Sequence, residues 1–481
     1  MLAHHYREAL ALAEAAGVDP GPLRAPARAA IADASERAAM LSAWPSARDL
    51  AEAALELTAP DDPLRPQLQL RIARAQASLG TPDLELLATA RDGFLAHGAV
   101  ERAGETEALL SWACWWRGDG EAAGLHSARA LELVRDLPTS VPKARAYAQA
   151  ARRTSIGGDD YDHAIELALA TLAMAEALGH DELASNALNT LGMARVHLGL
   201  EAGVADLERS VELADRSNAP DEIGKSRNNL ANTYWSLGRL DDATAMSEAS
   251  REAAMRYGSQ AGLVWADAEL LADRESRGDL AGALGLAEHV IADTNAEDQV
   301  HNAGHVIRSK LLASFGRLDE ALAESEQGLV KAREVGDSQH LAPTLMARAY
   351  ILFDAGRDVE ARAAIDEVLA DPRLMRVAHL FADLPLLLAA QGREADFTAA
   401  VRGIPQLGLW SEAAAAVCDG DLARAADVYG AMGARFVEAW ARLLAAERGE
   451  LGQLEQAHAY FVSQGALPYV QRCEAVLHAS A

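Results

Sequence analysis

Apolar and polar positions along this 481-residue chain follow a helical period, in Ala- and Leu-rich segments that each carry one apolar face and are parted by short turns. A glycine recurs in those turns, at Gly80, Gly118, Gly158, Gly199, Gly238, Gly278, Gly316 and Gly356, at intervals of 38 to 41 residues. Each stands between two amphipathic segments, as in Leu237-Gly238-Arg239-Leu240-Asp241-Asp242-Ala243, so the pattern predicts a repeated helical hairpin. A lone hairpin cannot bury its apolar face and must stack on its neighbours. The expected fold is therefore all-α, an α-solenoid with a period of about 39 residues.

Punctuation divides the chain further. Ala25 to Trp44 and Ala47 to Thr58 read as a helical pair closed by Pro60-Asp61-Asp62-Pro63, so residues 1–63 are expected to cap the stack. Residues 64–373 carry the regular hairpins, whose second helices open on acids such as Asp279, Asp319 and Glu320, where the helix dipole favours negative charge. Beyond Gly356 the marks fall at Gly392, Gly420 and Gly449, and the last two intervals shorten to 28 and 29 residues. Residues 374–481 are expected to form shorter, irregular helical repeats.

Ala243, Ala283, Ala321, Ala361 and Ala425 each stand five residues after a turn glycine, where a small side chain lets hairpin helices approach closely. This spacing resembles the tetratricopeptide (TPR) repeat. Leu191-Gly192 before Gly199, and Leu230, Tyr234, Gly238 and Ala243, match the family's pattern more fully. The resemblance implies a right-handed superhelix of TPR-like hairpins. Departures are a period longer than the family's roughly 34 residues, Phe397 in place of the alanine after Gly392, and a family proline that is mostly missing. Longer helices would account for the extra residues. The opening Leu2-Ala3-His4-His5-Tyr6-Arg7-Glu8-Ala9-Leu10 and the phrases Ala425 to Ala434 and Ala457 to Ala466 look like the C-terminal repeat arm of large bacterial signalling ATPases, some linked to adenylate or guanylate cyclases. In that family the arm senses or docks, and the catalytic functions lie in domains to which nothing here corresponds.

Composition narrows the partners. Half of the residues are hydrophobic but only 5% are aromatic, which predicts many small Ala and Leu contacts and no broad aromatic core. With 44 Lys plus Arg against 71 Asp plus Glu, the net charge is −27, a surface that repels phosphate backbones and anionic lipid, so neither nucleic acid nor membrane is an expected partner. The same charge also simply keeps a long repeat protein soluble. Cys114, Cys418 and Cys473 are far apart and form no C-x-x-C pair, which fits a reducing cytoplasm. Glu8 and Glu14 interrupt the first apolar helix, unlike a secretory signal, and Asp383 and Pro385 break the most apolar stretch, Leu380 to Ala390.

Motifs for chemistry are weak. Gly224-Lys225-Ser226 lacks the earlier glycine of a phosphate loop, whose place Ala219 holds, and reads as the first turn of a helix. His301 and His305 are spaced to face one metal, but Asn302 stands where a zinc protease needs Glu and no third ligand is placed. No Ser, His and Asp set forms a triad, and pairs such as Asp241-Asp242 recur as helix-start charges. No catalytic residue, metal or cofactor is expected.

The first helices carry more. In TPR folds the positions 13, 10, 6 and 3 before the turn glycine share one stripe facing the groove, and before Gly238 these are Lys225, Asn228, Asn232 and Trp235. The same count gives Asn186 and Asn189 before Gly199, and Trp112 and Trp115 before Gly118. Amides offer a donor and an acceptor to an extended peptide backbone, and Trp offers contact area at small entropy cost. Packing of Trp112, Trp115 and Trp116 between repeats and a merely solvated polar groove are the plainer readings. Trp265 and Ala268 occupy the next repeat's first two stripe positions, so no Lys/Arg set that would clamp a chain-terminal carboxylate continues. The expected function is non-catalytic binding of a protein or peptide segment. The alternative is a sensor arm that docks on an ATPase or cyclase subunit through His4-His5-Tyr6.

Overall fold

Of the recurring glycines, Gly80, Gly199, Gly238, Gly278, Gly316 and Gly356 follow the ends of helices with positive φ. At Gly238 the backbone turns left-handed, with φ +77°, and the chain closes the helix by donating Gly238 N–H to Trp235 C=O at 2.9 Å and Arg239 N–H to Tyr234 C=O at 2.9 Å. A residue without Cβ reaches that φ at no steric cost, and the two bonds satisfy carbonyls that the helix end would orphan. The second helix then starts within a few residues. Asp83, Asp160 and Asp421 cap theirs by accepting from the backbone N–H of Leu86, His163 and Arg424. Where arginine follows the glycine, it instead pairs three residues on, as Arg239 does with Asp242 at 2.7 Å and Arg317 with Glu320.

The computed structural model describes residues 1–117, 119–157, 160–292, 298–335, 338–376, 380–405 and 408–480, and so leaves Gly118 and Gly158 outside the described residues. Among those described there are 26 α-helices and no strand. The fold is all-α and built of TPR-like helical hairpins. Helices of 17 or 18 residues, such as Pro220–Ser236, Leu240–Tyr257 and Gln260–Arg277, account for the long period.

The chain forms two compact units, Met1–Ser226 and Arg227–Ala481. In the first, the initial helices of successive hairpins pack side by side, Val100–Trp116 on Val141–Gly157 and that on Asp181–His197. Leu167, Leu183, Leu188, Leu191 and Leu213 fill one of its cores. The hairpin Asp181–His197 with Ala202–Ser217 closes most tightly at two glycines: a Cβ on Gly203 would lie 2.5 Å from the Gly192 carbonyl oxygen. In the second unit Gln260–Arg277, Asp298–Ser314 and Ser338–Asp354 pack in the same way. The alanines five residues after the turns, Ala243, Ala283, Ala321, Ala361 and Ala425, are all buried. Phe397, in the corresponding place after Gly392, is also buried and meets Phe381 edge to face at 5.4 Å, so an aromatic pair replaces the small contact there.

The expectation of no broad aromatic core is corrected in the second unit. Tyr350, Phe436, Trp440, Phe461 and Tyr469 interlock, with ring centroids 4.7 to 6.5 Å apart where they meet. Few aromatics are present, but five of them converge because the last helices of the chain, Arg435–Glu447, Leu454–Gln464 and Leu467–Ser480, fold back onto Ser338–Asp354 and its neighbours. Composition counts residues and is blind to where they meet.

The two-glycine contact yields a test. Gly203→Ala puts a methyl against backbone and should cost on the order of 1–3 kcal/mol, read as a lower urea midpoint. Gly224→Ala, where a Cβ meets nothing within 4 Å inside a helix, should be neutral or stabilise by up to about 1 kcal/mol.

Candidate functional site

In the first unit the stripe is polar and held by charge. Glu105, the position 13 before Gly118, is 3% exposed and accepts from Arg102 at 2.8 Å, Arg145 at 3.1 Å and Arg74. Burial works against its charge, but the three guanidiniums outweigh it and hold the carboxyl at about 2. Trp112 packs beside Leu70, Leu87 and Phe94, and Trp115 is half-buried. The Trp116 side chain lies outside the described residues. Asn189 is 3% exposed, too deep to meet a ligand without rearrangement. Asn186 stays half-exposed, its Nδ2 3.3 Å from Glu222 Oε2, and the same oxygen accepts from Lys225 Nζ at 2.7 Å. The structure thus brings Asn186 and Lys225 together through Glu222, and Lys225 serves an ion pair within its own helix. Arg152, one hairpin earlier, is pushed below the usual arginine range by burial, with the charge of Glu222 working the other way.

In the second unit the stripe changes character along its length. Asn232 Nδ2 donates to Glu269 Oε1 at 2.8 Å, and Asn228 Nδ2 reaches the same oxygen at 3.4 Å. All three side chains are half-exposed. One turn on, Trp235 is 6% exposed, its indole N–H donates to Ser276 Oγ at 2.9 Å, and its ring lies 5.2 Å from that of Trp410. Trp235 therefore does not present an aromatic face to a ligand, as the stripe count had assigned it, because helix Gly408–Cys418 already covers it. That helix is tied down by Trp410 Nε1 donating to Trp235 C=O at 2.7 Å and Leu409 N–H to Leu237 C=O at 3.0 Å.

The cover continues over later hairpins. Tyr460 hydroxyl donates to Gly278 C=O at 2.9 Å, and Tyr469 hydroxyl to Tyr350 Oη at 2.7 Å. Tyr350 stands six residues before Gly356, Lys310 six before Gly316 and Glu275 three before Gly278, so stripe positions bond to the chain's own later helices, Tyr350 directly and Glu275 through Lys310 and Asp383. Lys310 Nζ is 2.5 Å from both Glu275 and Asp383. Burial alone would lower its pKa, but the two carboxylates raise it, so the ammonium is retained. Beside Tyr469, Asp354 is pushed up to about 7 by burial, against the opposing pull of Arg472 and of hydrogen bonds from Tyr469 and Tyr350.

The other candidates resolve simply. His305 Nδ1 lies 2.8 Å from Glu324, which also holds Arg308, so it serves an intramolecular network. Among the described residues no group of three or more His, Cys, Asp or Glu is placed to hold a metal ion, and no helix is long and apolar enough to cross a membrane. Glu222 and Glu269, on which the polar contacts converge, escaped the stripe count because neither sits at one of its four offsets. Their legible signal was an acid one or three residues from a stripe position on a first helix.

No family model matches the chain, and no curated protein matches it. Among solved structures it is similar to a signal transduction ATPase with numerous domains and a tetratricopeptide repeat sensor from Pyrococcus horikoshii, at 15% identity and a TM-score of 0.41, over 66% of this chain and 46% of that one. The chain thus spans less than half the length of that protein. It is also similar to a Rap protein complexed with competence and sporulation factor, at 14% identity and a TM-score of 0.42, over 84% of this chain and 99% of that one. A third is the Rap conjugation gene regulator of plasmid pLS20 in complex with the Phr* peptide, at 14% identity and a TM-score of 0.39, over 72% and 97%. Likeness at this distance assigns no ligand and no residue.

The covered half of the second unit generates two tests. Trp410→Ala should cost about 3–5 kcal/mol in denaturant unfolding and shift the emission of the newly wetted Trp235 to the red. For Asp354, a folded pKa raised above the unfolded one favours the protonated form, so its contribution is full below about 4 and is lost as pH rises through about 7. Asp354→Asn should therefore gain in melting temperature relative to the parent between pH 5 and pH 8, and an unchanged difference across that range would refute the assignment.

Proposed function

We propose that this chain is a non-catalytic regulatory or scaffolding module that holds a protein or peptide segment against the first helices of its hairpins. One observation carries the reading. Each unit carries half-exposed polar groups on a first helix, Asn186 and Lys225 in the first, both bonded to the buried Glu222, and Asn228, Asn232 and Glu269 in the second, where Trp235, Lys310 and Tyr350 meet the chain's own later helices. Side-chain amides pair with an extended backbone as donor and acceptor, and a ligand so held gains hydrogen bonds without a sheet edge. Trp235 and Asn189 drop out of the contact set because they are buried. Asn186 and Lys225 in the first unit and Asn228 and Asn232 in the second stay in it, joined by Glu269, while the buried Glu222 orients Asn186 and Lys225 from behind.

The double variant Asn228→Ala, Asn232→Ala removes two amides without touching the buried seam. In native mass spectra of tagged chain purified from its own host, partner occupancy should fall about tenfold, the equivalent of one to two hydrogen bonds. Equal occupancy with unchanged far-UV circular dichroism would defeat the reading.

A further inference from the structure

Among the described residues, one buried acceptor beside Glu269 has no donor. Glu269 Oε1 takes both asparagine N–H groups. Asn228 Oδ1 is buried with no hydrogen-bond partner. Its amide cannot turn round to relieve this, since the oxygen would then face the carboxylate. A buried acceptor left unmade is costly, so an arrangement that keeps one beside a carboxylate is poised for a donor from outside.

That donor is cationic, because among the described residues no cation is paired with Glu269. On its own helix Arg277 is held by Asp273 and Asp241, and Arg274 by the Gly282 carbonyl. On the helices packed against it, Arg251 and His289 face Asp267, Lys310 sits between Glu275 and Asp383, His305 and Arg308 share Glu324, and Arg435 and Arg442 share Glu438. Arg227, on the asparagine helix, donates to the Ala249 carbonyl. Asn228 and Asn232 are the groups that touch the carboxyl. In a chain whose arginines are so largely paired, a half-buried carboxylate held by amides alone stands out.

We infer that Glu269 and Asn228 form a subsite for a primary ammonium or guanidinium group, filled by a lysine side chain, an arginine side chain or the terminal amine of a bound segment. The inference rests on the groove reading above and names the chemistry that the groove selects. Burial pushes the Glu269 carboxyl up to about 7, against the pull of the two amides. A cation replaces its proton. Binding therefore releases a proton below about pH 7, and affinity falls as pH drops through that value, by up to about tenfold per unit.

The test uses the full chain at 0.15 M salt, where the Debye length of about 8 Å screens the general acidity of the surface. The probes are two capped pentapeptides, acetyl-Ala-Ala-Lys-Ala-Ala-amide and its norleucine counterpart, read by saturation-transfer NMR. Glu269→Gln keeps the volume and the oxygen that the asparagines hold, and circular dichroism confirms its fold. Lysine methylene signals should be strong at pH 8, at least fivefold weaker at pH 5.5 and at least fivefold weaker with Glu269→Gln, with norleucine signals indifferent to both changes. Lysine signals that ignore both pH and Glu269→Gln, with both peptides bound, would overturn the subsite and leave the groove standing. Absence of signal from either peptide with the parent chain would overturn both.

Discussion

A first helix packed between its hairpin partner and the neighbouring repeats still has one side left over, and the treatment of that side governs the rest of this structure. An array of hairpins buries apolar faces only where units touch. The remaining side must be polar enough to stand in water or be covered by something else, because contiguous exposed apolar surface is unstable toward association. The first unit takes the polar course, with Glu105 among three arginines and Asn186 tied through Glu222 to Lys225. The second unit takes both. Asn228, Asn232 and Glu269 stay half-exposed, and beyond them Trp235 is covered by Gly408–Cys418 and Tyr350 by the chain's last helices.

The turn glycines serve this covering as well as the turns. Gly238 needs its positive φ, yet a Cβ there would also lie 2.5 Å from Met432 Sδ. At Gly278 the same double demand arises, where Tyr460 and the backbone of Phe436 press against the turn. Residues read as punctuation are thus the points at which the returning helices approach the backbone, and a side chain at either would lift them off.

Two glutamates show how far surroundings decide chemistry. Glu105 and Glu269 are the same residue type, both withdrawn from water on first helices. The first, among three guanidiniums, is held at about 2, and the second, with two neutral amides, is pushed up to about 7. Desolvation acts on both in the same direction, and only opposite charge is strong enough to reverse it. The one is a fixed structural anion, the other a carboxyl whose charge state is open to a ligand.

The hairpins, their long period and the alanines after five of the turns were legible in the chain, because a left-handed turn without Cβ and a close helix contact each demand a residue type at a fixed local offset. The amides were legible for a similar reason, since helical spacing places Lys225, Asn228 and Asn232 on one face of a helix and the repeat period puts Asn186 at the corresponding place one hairpin earlier. The fate of Trp235 was not legible, nor the aromatic cluster around Tyr350 and Tyr469, nor the role of Glu222 and Glu269. These depend on partners such as Trp410, 175 residues away, and Tyr469, 119 residues away, and no local period encodes which distant helix returns to cover a face. The sequence by itself determined what each hairpin is and which side chains its free face carries. Only the tertiary structure decided which part of that face is covered by the chain and which stays open, because that depends on long-range packing and not on local spacing.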